Sequence, residues 1–580
     1  MKVLLSTLNA KFIHSSLALA YLREFCQAEK RDIELKEFTI NQQNEDIMAA
    51  IFQIRPDILA FSAYIWNIKP ILQICRDYKQ VSPHTIIILG GPEVSYDSCT
   101  ILEKNQWIDY IVRGEGEETL KELLEVLYQG KHPGEIMGIS YRDNGMIFEN
   151  PDRPLISALD KIPFPYRGRL DYYRDRIIYY ESSRGCPFNC SYCLSSTIKG
   201  VRCFSLPRVK EDLAYLISKG IKEVKFVDRT FNFSEDRARQ IMEFILQQEG
   251  TSKFHFEVAA EIVSDNFLSF LKQVPPGRFD FEIGVQSTHP DALKAVRRSS
   301  NWPRLASNIK ALVALGNMHI HLDLIAGLPF EDYDSFAKSF NDVYVLGADV
   351  IQLGFLKLLK GSAIRGEGDE HDYVFQSQPP YQVMANRYLS YGQILILKQV
   401  EDLLSRYYNS GGMPRSLSYI VGIIYKGQAF KFYEEFAAYW QEQDYFAKAH
   451  KKEAEYGILM KFIASNFESH LPTINELLKL DFLCNNQNDN LPRGILSHNP
   501  DNISEILYSI LKNHDFISEF LPELYKKSAR EIRRQVHLEY FRYDHDTKQM
   551  NKSPLPVLFV YDPVQKKTCR LIKVPSSYID

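Results

Sequence analysis

The first 145 residues alternate between short apolar runs and stretches in which apolar positions recur at helical spacing. Residues 3–8 are an apolar run followed by a helical segment, while residues 56–64 and 85–91 read as buried strands, the last ending in two glycines. Strands that alternate with helices in this way predict a parallel sheet covered by helices on both faces. We therefore predict an α/β, doubly wound domain over residues 1–145.

A second alternating series of strands and helices begins at residue 177. Its strand candidates are residues 177–183, 223–228, 254–261, 279–287, 319–329 and 350–358. Six units of this kind predict a partial (six-unit) TIM barrel, and chemistry in such folds collects at the carboxyl ends of the strands. We place this barrel at residues 173–365.

The segments that follow each of these domains differ from them in character. Residues 146–172 are rich in Asn, Asp, Pro and Arg and predict a linker, although hairpins that complete the first domain are an equal alternative for residues 138–149. Beyond residue 365 the helical stretches are amphipathic, and residues 555–577 read as a terminal hairpin. The prediction for residues 366–580 is a mainly α domain with this terminal hairpin.

Composition narrows the class of protein. Of the 580 residues 45% are hydrophobic and 13% aromatic, which is ample for several packed cores. The formal net charge is −4 and no long basic run occurs, so the sequence carries no electrostatic signature of nucleic-acid binding. No apolar run approaches the ~20 residues of a membrane helix, and the first residues lack a signal-peptide pattern. We expect a cytoplasmic protein with neither a membrane nor a nucleic-acid partner.

Three of the nine cysteines crowd into eight residues of the segment ESSRGCPFNCSYCLSS. Cys186, Cys190 and Cys193 have the spacing C-x3-C-x2-C, on the loop that follows the first barrel strand. Three thiolates can bind three irons of a cubane and leave the fourth iron without a protein ligand. The alternatives are a chance cluster or a zinc site, for which Cys203 could supply a fourth ligand.

The motif CPFNCSYC, on the loop after the first strand of a six-unit barrel, resembles the radical S-adenosylmethionine (SAM) superfamily, and Tyr192 before the third cysteine fits it. The resemblance implies that Cys186, Cys190 and Cys193 hold a [4Fe-4S] cluster whose free iron chelates SAM. Reduction by one electron then splits SAM into methionine and a 5′-deoxyadenosyl radical, chemistry that belongs to the cofactor. It also implies an external reductant such as flavodoxin or ferredoxin.

Several further barrel residues match positions at which this superfamily contacts SAM. Asp228 ends the second predicted strand, and Glu261 ends the third. Gln286 and Ser287 end the fourth, and Arg298 one helix later could pair with the SAM carboxylate. The resemblance implies these contacts with SAM, as it does for Tyr192. The alternative for each is an ordinary surface or barrel-lining polar group.

A doubly wound domain directly before such a barrel is similar to the cobalamin-binding class of radical SAM enzymes, in which a Rossmann-like domain holds the corrin. Gly90–Gly91 matches the paired glycines of that class, Ser62 matches its serine, and His14 follows the first strand. Phe12 stands where the class has an aspartate that orients the cobalt-ligating histidine. The resemblance therefore implies cobalamin with His14 as an unassisted ligand, or with no protein ligand below cobalt and His14 packed against the turn.

The segment GEGEET (114–119) also resembles the end of the cobalamin domain. We therefore predict a cobalamin-dependent radical SAM enzyme that methylates an unactivated carbon of a small-molecule or peptide substrate. The alternatives are a cobalamin-dependent radical cyclase or oxidoreductase, a methylthiotransferase-like enzyme and a non-enzymatic cobalamin or cluster sensor. Against the methylthiotransferase, Cys26 and Cys75 fall in helical patterns and only Cys99 follows a strand.

Overall fold

The computed structural model describes residues 1–27, 32–487, 490–562 and 569–579. The chain divides into two compact units, which interleave along the sequence. The first unit comprises Met1–Ser339, Leu346–Ala348 and Gln352–Ile394, and the second comprises Phe340–Val345, Asp349–Ile351 and Leu395–Asp580. Both predicted cofactor-binding regions therefore belong to the first unit.

The amino-terminal sheet contains β1 (Lys2–Asn9), β2 (Asp32–Thr39), β3 (Ile58–Ser62), β4 (Ile86–Gly90), β5 (Tyr110–Val112), β6 (Ile139–Asp143) and β7 (Met146–Glu149). Its order is β2-β1-β3-β4-β5-β6-β7, with parallel pairing from β2 to β5. The accompanying helices are α1 (Leu17–Cys26), α2 (Asn44–Ile54), α3 (Ile68–Val81), α4 (Pro92–Ser95), α5 (Ser98–Lys104) and α6 (Gly116–Tyr128).

Hydrophobic residues cover both faces of this sheet. Along β1, Leu4 and Leu8 enter one buried cluster, whereas Val3 and Leu5 enter another that includes Leu120 of α6. Successive side chains of a strand point to opposite faces, so an unbroken apolar run is what a sheet covered on both faces requires. The predicted doubly wound domain is confirmed.

The hairpin of β6 and β7 extends this sheet antiparallel to β5. Residues 146–149, which the composition placed in a linker, are therefore strand β7, and the alternative of a hairpin at 138–149 is correct. The turn between them is Asn144–Gly145, the dipeptide that two-residue hairpin turns favour. The local turn chemistry was a better guide here than the polar composition.

The second alternating series forms β8 (Ile178–Tyr180), β9 (Ser183–Cys186), β10 (Gly200–Cys203), β11 (Glu223–Phe226), β12 (Lys253–Glu257), β13 (Phe279–Gln286), β14 (His319–Ala326) and β15 (Val350–Phe355). Among the described residues, one sheet has six strands in the order β15-β14-β13-β12-β11-β8, and β9 and β10 form a separate pair. The helices are α7 (Leu206–Ser218), α8 (Glu235–Gln247), α9 (Asp265–Leu271), α10 (Pro290–Ala295), α11 (Trp302–Leu315) and α12 (Tyr333–Tyr344).

This sheet confirms the predicted partial barrel. The pairs from β8 to β14 are all parallel, which brings the carboxyl ends of those strands to one rim. The strands end earlier than the sequence pattern predicted: β12 ends at Glu257, and the residues up to Ile262 form loop and a 3-10 turn. The predicted strand ends therefore mark the rim, but several of the residues named there lie in the loops above it.

After the barrel come α13 (Ala363–Gly366), β16 (Val374–Phe375), β17 (Val383–Ala385), α14 (Tyr391–Leu403), α15 (Pro414–Tyr419), α16 (Ala429–Glu442), α17 (Lys452–Asn466), α18 (Leu471–Asn485), α19 (Ile503–Lys512), α20 (His514–Phe520), α21 (Ala529–Ile532), β18 (Val536–Asp544), β19 (Gln549–Tyr561) and β20 (Cys569–Lys573). The predicted helical character is confirmed. The terminal hairpin pairs β19 with β20 and gains β18 as a third strand, while residues 563–568 of that hairpin lie outside the described residues. Among the described residues, every helix is too short or too polar to span a bilayer.

Candidate active site

The cysteine loop leaves the barrel through a tight hairpin. Strands β9 and β10 pair antiparallel, with Cys186 opposite Gly200 and Cys203 opposite Ser183. At Gly185 a Cβ atom would overlap the carbonyl oxygen of Gly200, so only glycine allows the two strands to approach this closely. The hairpin thus fixes Cys186, the last residue of β9, at the base of the loop.

Two of the three thiols contact polar side chains from other barrel loops. The Cys186 Sγ lies 3.5 Å from the Thr230 hydroxyl, in the loop after β11. The Cys190 Sγ accepts a hydrogen bond from the Arg298 guanidinium at 3.8 Å. Cys190 is buried, and Cys186 and Cys193 are half-buried. The loop therefore places the Cys186 sulfur beside the loop after β11 and the Cys190 sulfur beside the segment that follows α10.

The backbone of the loop is fastened to the barrel as well. The Ser191 N–H donates to the Val296 carbonyl at 3.0 Å, and the Ser191 carbonyl accepts from the Ile364 N–H at 3.0 Å. Within the loop, the Cys193 N–H donates to the Cys190 carbonyl at 3.1 Å. Hydrogen bonds on both sides of Ser191 hold the segment between the second and third cysteines in one conformation.

The donor set fits an iron–sulfur cluster better than a single metal ion. Over residues 1–27, 32–487, 490–562 and 569–579, no three His, Cys, Asp or Glu side chains converge closely enough to hold one ion. Cys203 is exposed at the far end of β10, so the zinc alternative lacks its fourth ligand. Three thiolates on one loop suit a cluster, whose irons are separate coordination sites.

Gln286 and Arg298 meet beside Cys190. The Arg298 guanidinium donates to the Gly284 carbonyl, and the Gln286 side chain folds back over Gly284, where a Cβ atom would overlap its amide. Gln286 ends β13 with a left-handed φ of 72°, and its Oε1 is buried without a hydrogen-bond partner among the described residues. A buried acceptor with no donor suggests a bound group at this point. That Gln286 and Arg298 contact SAM stays a prediction.

Charge around Arg298 favours its cationic form. Burial acts to lower the pKa of Arg298, but the facing Tyr192 and Cys190 outweigh it and the pKa is raised. Burial raises the pKa of the Tyr192 phenol, which therefore stays neutral. The arginine thus remains available to a carboxylate at any ordinary pH. The SAM contact of Tyr192 is likewise a prediction.

Asp228 and Ser287 are buried and fully engaged by the protein. Asp228 accepts hydrogen bonds from the Ser182 N–H at 2.8 Å, the Ser182 hydroxyl at 2.7 Å and the Ser183 hydroxyl at 2.5 Å. Ser287 donates to the Glu331 carboxyl at 2.6 Å, behind β13. These contacts anchor the entry to β9 and the exit of β13. Their predicted contact with SAM has no support in this arrangement and stays a prediction.

Glu261 lies in the 3-10 turn beyond β12, where its carboxyl accepts from the Asn301 N–H at the start of α11. The residue that ends β12 is Glu257, which sequence reasoning missed. Its Oε1 lies 3.5 Å from the Arg229 guanidinium, and burial raises its pKa to about 7. Strand alternation places Glu257 on the same face as His255, and that was the available signal.

The carboxyl edge of the amino-terminal sheet, which we call the corrin edge, ends in small residues. Ser62 ends β3, Gly90 ends β4, and the two are paired in the sheet. Gly91 has a φ of 104°, and a Cβ atom there would lie 2.6 Å from the Ala63 carbonyl, so the backbones after β3 and β4 pack closely. At the same edge Trp66 is 45% exposed. Small residues at the carboxyl ends of parallel strands, beside an exposed indole, fit the predicted cobalamin.

His14 turns toward the barrel. Its Nδ1 lies 2.7 Å from the Tyr179 hydroxyl on β8. Burial, with the nearby Lys11 and Lys225, lowers the pKa of His14, so the ring is neutral at pH 7. This contact accounts for the histidine without a metal. The role of His14 toward cobalt stays a prediction.

Two other sequence features serve the barrel rather than a ligand. Lys360, five residues after β15, pairs with Asp97 at 3.0 Å and Glu93 at 3.2 Å. The carboxylates of GEGEET, Glu115 and Glu117, reach Arg184 in the cysteine hairpin. Both sets of contacts join the first domain to the barrel.

Comparison with known families divides the chain as the fold does. Residues 3–124 match the B12 binding domain, and residues 180–343 match the radical SAM superfamily. Residues 369–559 match a family described as protein of unknown function (DUF4080). The first two matches coincide with the sheet that carries the corrin edge and with the barrel that carries the cysteine loop.

Individual proteins show similarity over the same region. An uncharacterized methyltransferase of Pyrococcus horikoshii is 29% identical over 58% of this chain and 74% of its own length. The cobalamin-dependent radical SAM methyltransferase TokK of Streptomyces tokunonensis is 25% identical over 52% of this chain, which spans about half (47%) of that relative. The structure of the cobalamin-dependent SAM radical enzyme OxsB superposes with a TM-score of 0.58 at 17% identity, over 83% of this chain and 79% of OxsB, and shows a shared fold.

Proposed function

We propose that this chain, in which residues 3–124 match the B12 binding domain and residues 180–343 match the radical SAM superfamily, is a methyltransferase that uses SAM and cobalamin to methylate an unactivated carbon. The observation that carries the proposal is that one compact unit holds both the cysteine loop and the corrin edge. A cyclase or oxidoreductase would also use the barrel, but the two similar proteins described above are both methyltransferases by name.

Each part of the site has a distinct task in this proposal. Cys186, Cys190 and Cys193 would hold the cluster, and Ser62 with Gly90–Gly91 would admit the corrin. Bound together, these cofactors supply an electron to split SAM and a carrier for a methyl group. The protein orients the reactants and excludes water from the rim.

Arg298 and Gln286 are the side chains we expect to orient SAM. The cationic Arg298 would pair with the SAM carboxylate, and the free Gln286 Oε1 would accept from its amino group. Arg298 lies one hydrogen bond from Cys190, where the metal-bound end of SAM would be, and Gln286 folds over Gly284, whose carbonyl accepts from the same guanidinium. The substrate is a small molecule or a peptide, and the electron comes from an external reductant, which we propose is flavodoxin or ferredoxin.

The test is anaerobic reconstitution of the full chain with iron, sulfide and aquacobalamin, followed by SAM with a trideuterated methyl group and a flavodoxin reducing system. We expect bound iron and cobalamin, 5′-deoxyadenosine, S-adenosylhomocysteine, and deuterated methyl on the extracted corrin. The triple variant Cys186→Ala, Cys190→Ala and Cys193→Ala is the matched control. It should retain cobalamin while iron and 5′-deoxyadenosine fall more than about 100-fold.

Two outcomes would contradict parts of the proposal. Formation of 5′-deoxyadenosine with no S-adenosylhomocysteine and no labelled corrin would exclude methyl transfer and favour the cyclase or oxidoreductase. Cobalamin and iron bound without any cleavage of SAM would favour a sensor.

A further inference from the structure

The cysteine hairpin places two arginines side by side. Arg184 of β9 and Arg202 of β10 are direct partners in the antiparallel pair, and their side chains are 13% and 17% exposed. Like charges directly opposite each other destabilise a strand pair, and more strongly when water is excluded. The hairpin that ends in Cys186 therefore depends on anions supplied from elsewhere.

Glu115 supplies the central anion and bridges both arginines. Its two carboxylate oxygens accept from Arg202, Oε1 at 2.7 Å and Oε2 at 3.0 Å, in the two-point geometry that suits a guanidinium. Oε1 also lies 3.3 Å from Arg184. Glu117 adds a 2.5 Å contact to Arg184, and Glu181 accepts from the same guanidinium at 2.9 Å. Three carboxylates thus surround two buried cations.

Glu115 and Glu117 belong to the corrin edge by position. Val112, at the end of β5, pairs with Gly90 at the end of β4, and Glu115 comes three residues later as the N-cap residue of α6. The Ile156 N–H donates to Glu115 Oε2 at 2.8 Å and helps to fix its carboxylate. The connection from Gly90 to the base of the cysteine loop is therefore short and made of hydrogen-bonded groups that are largely shielded from water.

We propose that Glu115 is a positioning residue that sets the cysteine hairpin relative to the corrin edge. Because one carboxylate holds both arginines, a change at either end of this connection alters the other. Loading the cluster should then tighten cobalamin binding, and by reciprocity cobalamin should stabilise the loaded cluster. The proposal requires both cofactors to bind but holds for any radical reaction that follows, so the failure of methyl transfer would not affect it.

The test compares Glu115→Gln with wild type as full-length, anaerobically reconstituted protein. The glutamine keeps the shape and removes the charge. Aquacobalamin is titrated into cluster-free and cluster-loaded samples, and the ratio of the two dissociation constants measures the coupling. We expect a ratio of about five or more for wild type and about one for Glu115→Gln, within the usual range of coupling between sites.

The matched control is Glu122→Gln on the same helix. Glu122 pairs with Arg153 on an exposed stretch of α6 and does not contact the hairpin. It should keep the wild-type ratio. A second readout is spectroscopic: the reduced cluster should speed the electron-spin relaxation of bound cob(II)alamin, and Glu115→Gln should weaken this effect at least about twofold if the hairpin shifts. A merely structural role would lower thermal stability without changing either readout.

Arg202→Lys decides the case in which Glu115→Gln fails to load iron. Lysine keeps the positive charge but loses the two-point contact with Glu115. The ratio of the cobalamin dissociation constants of cluster-free and cluster-loaded Arg202→Lys should therefore lie between one and the wild-type value. The proposal is overturned if wild type shows no coupling. It is also overturned if Glu115→Gln keeps both the wild-type ratio of dissociation constants and the wild-type electron-spin relaxation. If Glu115→Gln does not load iron, the same result for Arg202→Lys overturns it.

Discussion

The cysteine loop and the corrin edge are built in opposite ways. The loop is defined by the side chains it carries: three thiols, with Thr230 and Arg298 beside two of them. The corrin edge is defined by small residues, since a Cβ atom at Gly91 would overlap the Ala63 carbonyl. Reactive groups can be read from a sequence, whereas a close approach of two backbone segments depends on positions that only the fold supplies.

Replacement of Gly91 by valine tests the role of the corrin edge, and of the proposed variants it should have the largest effect on stability and cobalamin binding. At a φ of 104° with the Ala63 carbonyl 2.6 Å away, a branched side chain adds both strain and overlap. We expect about 3 kcal/mol less stability and cobalamin retention reduced at least about tenfold, with a smaller loss of iron. Equilibrium unfolding and cofactor quantification after anaerobic reconstitution measure the two effects.

The control for Gly91→Val is Gly145→Val in the β6–β7 turn. Gly145 also has a positive φ, 83°, but has no atom within 4 Å of an added Cβ. It should lose about 1–2 kcal/mol and keep cobalamin, because it adds backbone strain without overlapping a neighbour at the corrin edge. Equal loss of cobalamin in the two variants would mean that the corrin edge is not shaped by Gly91.

A second prediction concerns Glu331, which holds Ser287 behind β13. Burial raises the pKa of Glu331 from 4.5 to about 7. A carboxyl whose pKa is raised on folding stabilises the protein fully only below its unfolded pKa, and that stability is lost as pH rises from 4.5 through 7. Glu331→Gln should therefore gain about 3 kcal/mol relative to wild type between pH 4.5 and pH 8.

Denaturant unfolding at a series of pH values checks this, with Glu243→Gln as an exposed control that should show no such trend. Glu243 pairs with Arg239 on the surface of α8. A pH-independent difference between Glu331→Gln and wild type would show that the carboxyl titrates normally. The result sharpens the comparison of the cysteine loop with the corrin edge. It shows whether a buried carboxyl of the barrel serves the fold, as Glu331 does through Ser287, rather than a cofactor.

The smallest effect is expected at His14. His14→Phe removes the hydrogen bond to Tyr179, at a cost of about 1 kcal/mol, and should leave the axial nitrogen splitting in the spectrum of bound cob(II)alamin unchanged. Tyr179→Phe removes the same bond and is the matched control. If the nitrogen splitting changes in His14→Phe alone, the histidine ligates cobalt and the corrin edge does carry a reactive side chain.

The sequence predicted the strands but few of the contacts around them. Apolar periodicity and the cysteine spacing are local signals, so β13 was found at nearly the right residues and the cysteines lie on the loop after the first barrel strand, while their role as cluster ligands stays a prediction. Glu261 and Ser287 were named because they end predicted strands, yet periodicity does not tell whether a residue at a strand end faces the rim. The pairing of Glu115 with Arg184 joins residues 69 positions apart, and no local pattern encodes it.

The two arginines facing each other in the cysteine hairpin impose an order on the making of the protein. A chain emerges from the ribosome amino terminus first, so Glu115 and Glu117 leave the tunnel before Arg184 and Arg202 are synthesised. The amino-terminal domain can be folded, with its carboxylates in place, when the hairpin first forms. A circular permutant that began at the barrel would produce the hairpin with Glu181 but without Glu115 and Glu117, and its nascent chains would depend on chaperones more than those of the natural order.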